Sequence, residues 1–106
     1  MALTTSSSVQ EQEIDSAVHR VESKFAKEVD HIRYSLGENW VGAPSIFFRV
    51  VVRDEASRGD HELYELSNKV SISLMNEAKT DENGLYAYFD FRSMSEQAKL
   101  KDPAWA

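Results

Sequence analysis

The chain has 106 residues, of which 42% are hydrophobic, and it carries a formal net charge of −6. This length predicts one domain with a thin core, and the hydrophobic content excludes a wholly disordered chain. Apart from tyrosine, which extends one run to five at residues 85–89, apolar runs do not exceed three residues, as at residues 50–52, and such runs cannot span a membrane. So acidic a chain is repelled by nucleic-acid backbones unless its positive charges are gathered locally.

Cysteine is absent from the sequence, which excludes a disulfide framework and thiolate chemistry and fits a reducing compartment. The first eight residues lack the basic region and apolar block of a secretory signal. We therefore expect a cytoplasmic protein. Residues 1–7 are small and polar and are expected to form a flexible lead, followed by one α/β domain over residues 8–106.

The first predicted element is a long amphipathic helix. Apolar residues recur at steps of three and four, which is close to helical pitch. They are Ile14, Val18, Val21, Phe25, Val29, Ile32 and Leu36. Ser8 with Glu11 matches a capping box at its start, and Gly37 supplies a residue suited to its end. A helix of about 28 residues would be about 42 Å long, so part of it is expected to protrude or to meet another chain.

Two strands with strict alternation follow, and each has one wholly apolar face. The apolar sets are Ile46, Phe48, Val50 and Val52 in the first strand, and Leu85, Ala87, Phe89 and Phe91 in the second. The opposite faces carry Phe47, Arg49, Val51 and Arg53, and Tyr86, Tyr88, Asp90 and Arg92. These mixed faces are the first candidate for a functional surface.

A second helix separates the strands, from Glu55 or Asp60 to Lys79, with Asp54 or Asp60 as its cap. Its predicted apolar stripe is Leu63, Leu66, Val70, Leu74 and Ala78, widened by Ile72 and Met75. A helix of about 20 residues is about 30 Å long, which is also the length of one strand. It carries the chain back to the start of the first strand, so the two strands are predicted to be parallel. The fold class is therefore a two-layer α/β sandwich, with α+β as the variant, and helices on the apolar face only.

Two segments flank this unit. Residues 37–44 form a loop in which Trp40 is expected to plug the edge of the core. Ser93 with Glu96 makes a second capping box and opens a short helix that reaches about Lys101, within a C-terminal tail over residues 93–106.

A sheet of two strands is too small to leave its mixed face and edges bare. Dimerisation with a second copy, or another protein partner, would complete it. Alternatively the tail folds back and covers the mixed face with Met94, Leu100 and Trp105. The sequence leaves both solutions open.

Tyrosine and arginine dominate protein-binding hot spots, so the mixed face predicts a binding surface. The candidate partner-binding residues are Phe47, Arg49, Val51, Arg53, Tyr86, Tyr88, Arg92 and Trp105. A plainer interpretation has solvated arginines paired with acids and tyrosines packed under the tail. A further alternative is a single-stranded RNA-binding module, in which aromatic rings stack on bases and arginines bind phosphates.

The sequence offers no catalytic constellation, nucleophile elbow or glycine-rich phosphate loop, so we expect neither an enzyme nor a cofactor. His19, His31 and His61 lack metal-ligand spacing. The carboxylates of Asp54, Glu55, Asp60 and Glu62 could suit a hard cation, but helix capping explains them better. The prediction is a small accessory subunit, antitoxin or immunity partner whose acidity suits a basic target.

Overall fold

The computed structural model describes the backbone of residues 2–106 and the side chains of residues 9–106. Over this range the chain is an α+β fold in which a helix comes first. Its helices are α1 (Ala2–Lys24), α2 (Asp60–Ala78) and α3 (Met94–Leu100), and its strands are β1 (Val29–Glu38), β2 (Pro44–Val52) and β3 (Tyr86–Ser93). Short 3₁₀ turns lie at Asp54–Ser57 and Pro103–Trp105.

The strands form one mixed sheet in the order β1-β2-β3. Strands β2 and β3 are adjacent and parallel, with Phe48 beside Phe89 and Val50 beside Phe91. The predicted parallel pairing is confirmed, because α2 carries the chain back along the length of one strand. Strand β1 pairs with β2 in the antiparallel direction through a tight hairpin.

Strand β1 corrects the predicted first helix, which was wrong beyond Lys24. A β-bulge lies between Val29 and His31, so the inward residues Val29 and Ile32 are three positions apart. After Ile32 every second residue points inward, first Tyr34 and then Leu36. Ile32 and Leu36 are therefore four positions apart. The bulged strand thus reproduces helical spacing. Gly37 does not end a helix but lies in the strand opposite Ser45.

Helix α1 begins at Ala2, within the segment predicted as a flexible lead, and so ahead of Ser8. The Ser8 side chain, to which a capping role was assigned, lies outside the described side chains. Because α1 ends at Lys24, it has 23 residues and a length of about 35 Å, so the predicted excess over the strands is smaller. Val9, near its start, is 49% exposed. Its middle part packs as predicted, with Ile14 and Val21 fully buried.

Helices α1 and α2 cover the apolar face of the sheet, which confirms the two-layer sandwich. The largest core residue, Phe48, is 1% exposed and stacks on Phe89 with ring centroids 5.3 Å apart. The stripe of α2 packs through Leu66, Val70 and Leu74. Burial of this stripe and of the inner sheet face stabilises the fold by roughly 25 cal/mol per Å² of apolar area.

Two details of α2 differ from the prediction. Ile72 and Met75 are exposed and do not widen the buried stripe. The residue that precedes the helix is Gly59, with no side-chain cap, so neither Asp54 nor Asp60 has the capping role predicted for it.

Among the described residues, no helix is both long and apolar enough to cross a membrane.

Candidate functional site

The face of the sheet opposite α1 and α2, called the outer face below, gathers the residues predicted for binding. Alternation along β2 and β3 brings Phe47, Arg49 and Val51 beside Tyr86, Tyr88, Asp90 and Arg92. Strand β1 adds His31, Arg33 and Ser35, which the helix prediction had missed. The outer face is therefore three strands wide, with aromatic groups at one end and arginines at the other.

The C-terminal residues lie across one part of this face, called the closed half below. Trp105 is 4% exposed, and the Arg92 guanidinium lies 4.0 Å from the centroid of its ring. Arg33 donates a hydrogen bond of 3.0 Å to the carbonyl of Ala106. Val51, whose neighbours in register are His31 and Arg92, is fully buried. The tail is thus an internal cover, as one of the two predicted solutions required.

Only Trp105 of the three predicted covering residues has that role, since Met94 and Leu100 are exposed. Polar contacts hold the tail in place instead. Gln97 accepts from Arg92 at 3.0 Å and donates to the Asp102 carbonyl at 2.8 Å. The capping box of Ser93 and Glu96 is formed as predicted and fixes the start of α3.

His31 links the tail to the sheet through both ring nitrogens. Its Nδ1 lies 2.7 Å from an Asp30 oxygen, and its Nε2 faces the carbonyl of Trp105. Both contacts join the ring to oxygen atoms, so His31 connects the bulge of β1 to the tail. Asp30 also accepts from Arg53 at 3.3 Å. Arg53, a predicted binding residue, is therefore engaged at the end of the closed half.

The other part of the outer face, called the open half below, carries an exposed cluster of rings. We call Trp40, Phe47, Tyr86 and Tyr88 the aromatic patch. Phe47 and Tyr88 stack with centroids 5.3 Å apart, and Trp40 lies edge-on to Tyr88 at 6.4 Å. A hollow of about 320 Å³ separates the Phe47–Tyr88 pair from Trp105.

Trp40 does not plug the core as predicted, because 86% of its surface is exposed. The hairpin between β1 and β2 holds it there. The Asn39 side chain accepts from the backbone N–H groups of Val41 and Ala43, and Gly42 takes a φ of 80°. Asn39 also donates to the Tyr88 hydroxyl at 3.1 Å, so the turn and the patch are linked. An asparagine with a glycine three residues on was the sequence signal for this turn.

The charges of the outer face are distributed unequally. Arg49 donates to Ser35 at 2.9 Å, and Arg92 lies 3.6 Å from an oxygen of Asp102. Asp90 is exposed beside the aromatic patch and has no ion-pair partner among the described side chains. Two of the arginines thus pair with acids, Arg53 with Asp30 and Arg92 with Asp102. Among the described side chains no arginine lies within ion-pair distance of Asp90, and this carboxylate faces solvent in the open half.

Asp54 anchors the start of α3 to the end of the sheet. Its carboxylate accepts from the Ser95 backbone N–H at 3.0 Å and from the Ser95 hydroxyl. These hydrogen bonds lower the pKa of Asp54 below its ordinary value, because they favour the charged form. The folded protein therefore gains stability from this group above the ordinary aspartate pKa, and loses it as pH falls through the lowered value.

We expect the Asp54→Ala variant to be less stable than the wild type near neutral pH, with the difference shrinking on acidification. Urea unfolding at a series of acidic pH values measures both proteins. Ser57→Ala serves as a control, since Ser57 bonds only the Asp54 carbonyl. A difference between Asp54→Ala and wild type that stays constant across the series contradicts this role for the carboxylate.

The four carboxylates considered for a cation do not gather. Over the described side chains, no group of three or more histidine, aspartate or glutamate residues is placed to hold a metal ion.

No family model, curated protein or solved structure matches the chain. The arrangement on the outer face is thus the basis for any functional conclusion.

Proposed function

We propose that this chain is a non-enzymatic protein-binding subunit that recognises another protein through the open half of its outer face. The observation that carries the proposal is the exposure of Trp40 over a Phe47–Tyr88 stack. Aromatic side chains bury a large area at a low cost in side-chain entropy, and they dominate the centres of protein interfaces. Interfaces of this kind place such rings at the centre and polar groups at the rim.

The chemistry proposed for the partner is basic. Asp90 borders the aromatic patch without an ion-pair partner among the described residues, and the chain carries a net charge of −6. A lysine or arginine of the partner could lie over an aromatic ring and pair with Asp90. Charge of opposite sign on the two proteins would also speed their encounter.

Protein recognition is favoured over the alternative of single-stranded RNA binding. An RNA site needs free arginines beside the stacking rings. Here Arg92 lies over Trp105 in the closed half, and Arg49 is half-buried, bonds Ser35 and has the Asp90 carboxylate beside it in register. Phosphate groups would be repelled from the rings that should stack on the bases.

The test compares what wild-type and altered proteins retain from an extract of the source cells. In one variant, Trp40→Ser and Tyr88→Ser remove two rings of the patch. The matched control is Ile72→Ser, which removes an apolar side chain that is 55% exposed on α2. We expect a protein that wild type and control retain equally and that the double variant loses at least tenfold, about 1.4 kcal/mol.

Equal retention by all three proteins contradicts the proposal. A titration of a single-stranded oligonucleotide at low salt runs in parallel. We expect no binding, and an affinity that falls with salt and on Arg49→Ala would support the RNA alternative instead.

A further inference from the structure

The two edges of the sheet are protected differently. At the β1 edge, the Glu22 side chain of α1 accepts from the Ile32 backbone N–H at 2.7 Å. The Arg33 side chain donates to the Ile32 carbonyl at 3.1 Å and lies 3.8 Å from Glu22. The backbone groups of an edge strand attract other strands, and side-chain caps of this kind prevent such pairing.

The β3 edge lacks such caps. Within the described part of the chain, no side chain bonds the outward N–H and C=O groups of residues 86–92. The inward residues Ala87, Phe89 and Phe91 are only half-buried, although Phe48 and Val50 beside them on β2 are fully buried. The edge therefore offers both unpaired backbone groups and unfinished apolar burial.

Helix α2 extends this surface above the sheet. Arg20 and Lys24 of α1 bond Glu77 and Ser73, which places α1 on one flank of α2. The opposite flank, about half a turn around the helix, carries Tyr64 and Met75, which lie three turns apart on one line. They are 66% and 37% exposed, on the side away from α1 and toward the β3 edge.

We propose that β3 pairs in the antiparallel direction with β3 of a second copy of this chain, which gives a continuous six-stranded sheet. A two-fold axis at Phe89 lets residues 86–92 of both copies pair over their full length. In this register the small side chain of Ala87 lies opposite the large side chain of Phe91 of the second copy. Tyr88 lies opposite Asp90 of the second copy, so the two Asp90 carboxylates are kept apart.

Other registers fit less well. An axis at Asp90 would bring two carboxylates face to face, and like charges directly opposite destabilise a strand pair. An axis at Tyr88 leaves Arg92 beyond the paired residues, and shortens the ladder of hydrogen bonds. The register at Phe89 also lets the two α2 helices run antiparallel, so that the flanks with Tyr64 and Met75 approach each other.

The first test is the mass in solution by multi-angle light scattering. We expect twice the chain mass of 12.1 kDa for wild type. The double variant Tyr64→Lys with Met75→Lys brings four positive charges to the contact and should shift the mass to that of one chain. Ile72→Lys, on the outward face of α2, should leave the dimer intact. A wild-type chain that is monomeric at every concentration overturns the proposal.

The second test fixes the register, and it uses the absence of cysteine from the natural sequence. Phe89→Cys places two thiols opposite each other, with Cα atoms about 5 Å apart, within the span of a disulfide. Phe91→Cys is the matched control, because its two copies would lie about 13 Å apart along the strands. We expect a disulfide-linked dimer from Phe89→Cys alone.

A dimer in which neither variant cross-links, or in which Phe91→Cys links better, overturns the proposed pairing. This result is independent of the proposed partner protein. Loss of the dimer through Tyr64→Lys and Met75→Lys leaves the aromatic patch of each chain unaltered. Trp40→Ser alone removes a ring of the patch that lies outside the proposed strand pair, so it should weaken partner binding and leave the dimer intact.

Discussion

Replacing Phe48 with alanine is expected to lower the free energy of unfolding by about 3–5 kcal/mol. Phe48 is 1% exposed and stacks on Phe89, so its removal leaves a cavity between the sheet and the helices. A domain of this size has about 5–15 kcal/mol of stability in total, so the variant should be partly unfolded at body temperature. Urea unfolding followed by circular dichroism measures the loss.

The adjacent Phe47 provides the control. It has the same side chain but points to the outer face, where it is half-buried against Tyr88. Phe47→Ala is therefore expected to cost about 1 kcal/mol. Similar losses for the two variants would contradict the assignment of inner and outer faces to β2.

Replacing Trp105 with alanine is expected to cost about 3 kcal/mol, because a nearly buried ring is lost from the closed half. The variant also leaves Arg92 without the ring it lies over and uncovers Val51. Chemical unfolding gives the magnitude. The expected loss is large for a residue so close to the end of a chain, where side chains are often poorly ordered.

Fluorescence provides a second readout, since the chain has two tryptophans with opposite environments. With Trp40→Phe, the remaining Trp105 should emit at short wavelength as a buried indole. With Trp105→Phe, the remaining Trp40 should emit as an indole in water, since it is 86% exposed. A loss below about 1 kcal/mol for Trp105→Ala, together with water-like emission from Trp105, rules out a docked tail.

The segments that the sequence predicted well have one unambiguous periodicity. Alternation over residues 45–52 and 85–92 assigned both faces of β2 and β3, and the stripe through Leu66, Val70 and Leu74 identified α2. The parallel pairing followed from the length of α2 alone. These are local patterns that a one-residue shift would destroy, so they determine the fold strongly.

Strand β1 could not be predicted in this way, because its bulge changes the period between Val29 and Ile32. Spacing then continues the stripe of α1 without a break. The available signal was composition, since Val29, Ile32 and Tyr34 are β-branched or aromatic and favour strands. That signal competes with a regular periodicity and is the weaker of the two in a single sequence.

The functional surface was partly accessible from sequence. Alternation gathered Phe47, Tyr86 and Tyr88 on one face, but it carries no information on where a loop or a tail will lie. Trp40 reaches the patch through the Asn39 turn, and Trp105 is held by contacts with His31 and Arg92. Both positions depend on tertiary contacts, so spacing along the chain could not reveal them.

The proposed partner site and the proposed dimer share β3. Pairing at Phe89 would place Tyr88 of each copy one residue from the two-fold axis, with the two Tyr86 residues about 20 Å apart along the strands. The dimer would therefore present two aromatic patches on the same face of one sheet. A partner with two basic segments could then bind both copies at once, and the second contact would form at a high effective concentration.

Photo-cross-linking inside the source cells tests the proposed function most directly. A photoreactive phenylalanine analogue replaces Trp40 in the open half or, as the control, Ile72 on α2, which is also exposed. We expect a covalent adduct with a basic protein from position 40 that is absent from position 72 and resists nuclease. An adduct that nuclease removes, or equal adducts from both positions, would contradict it.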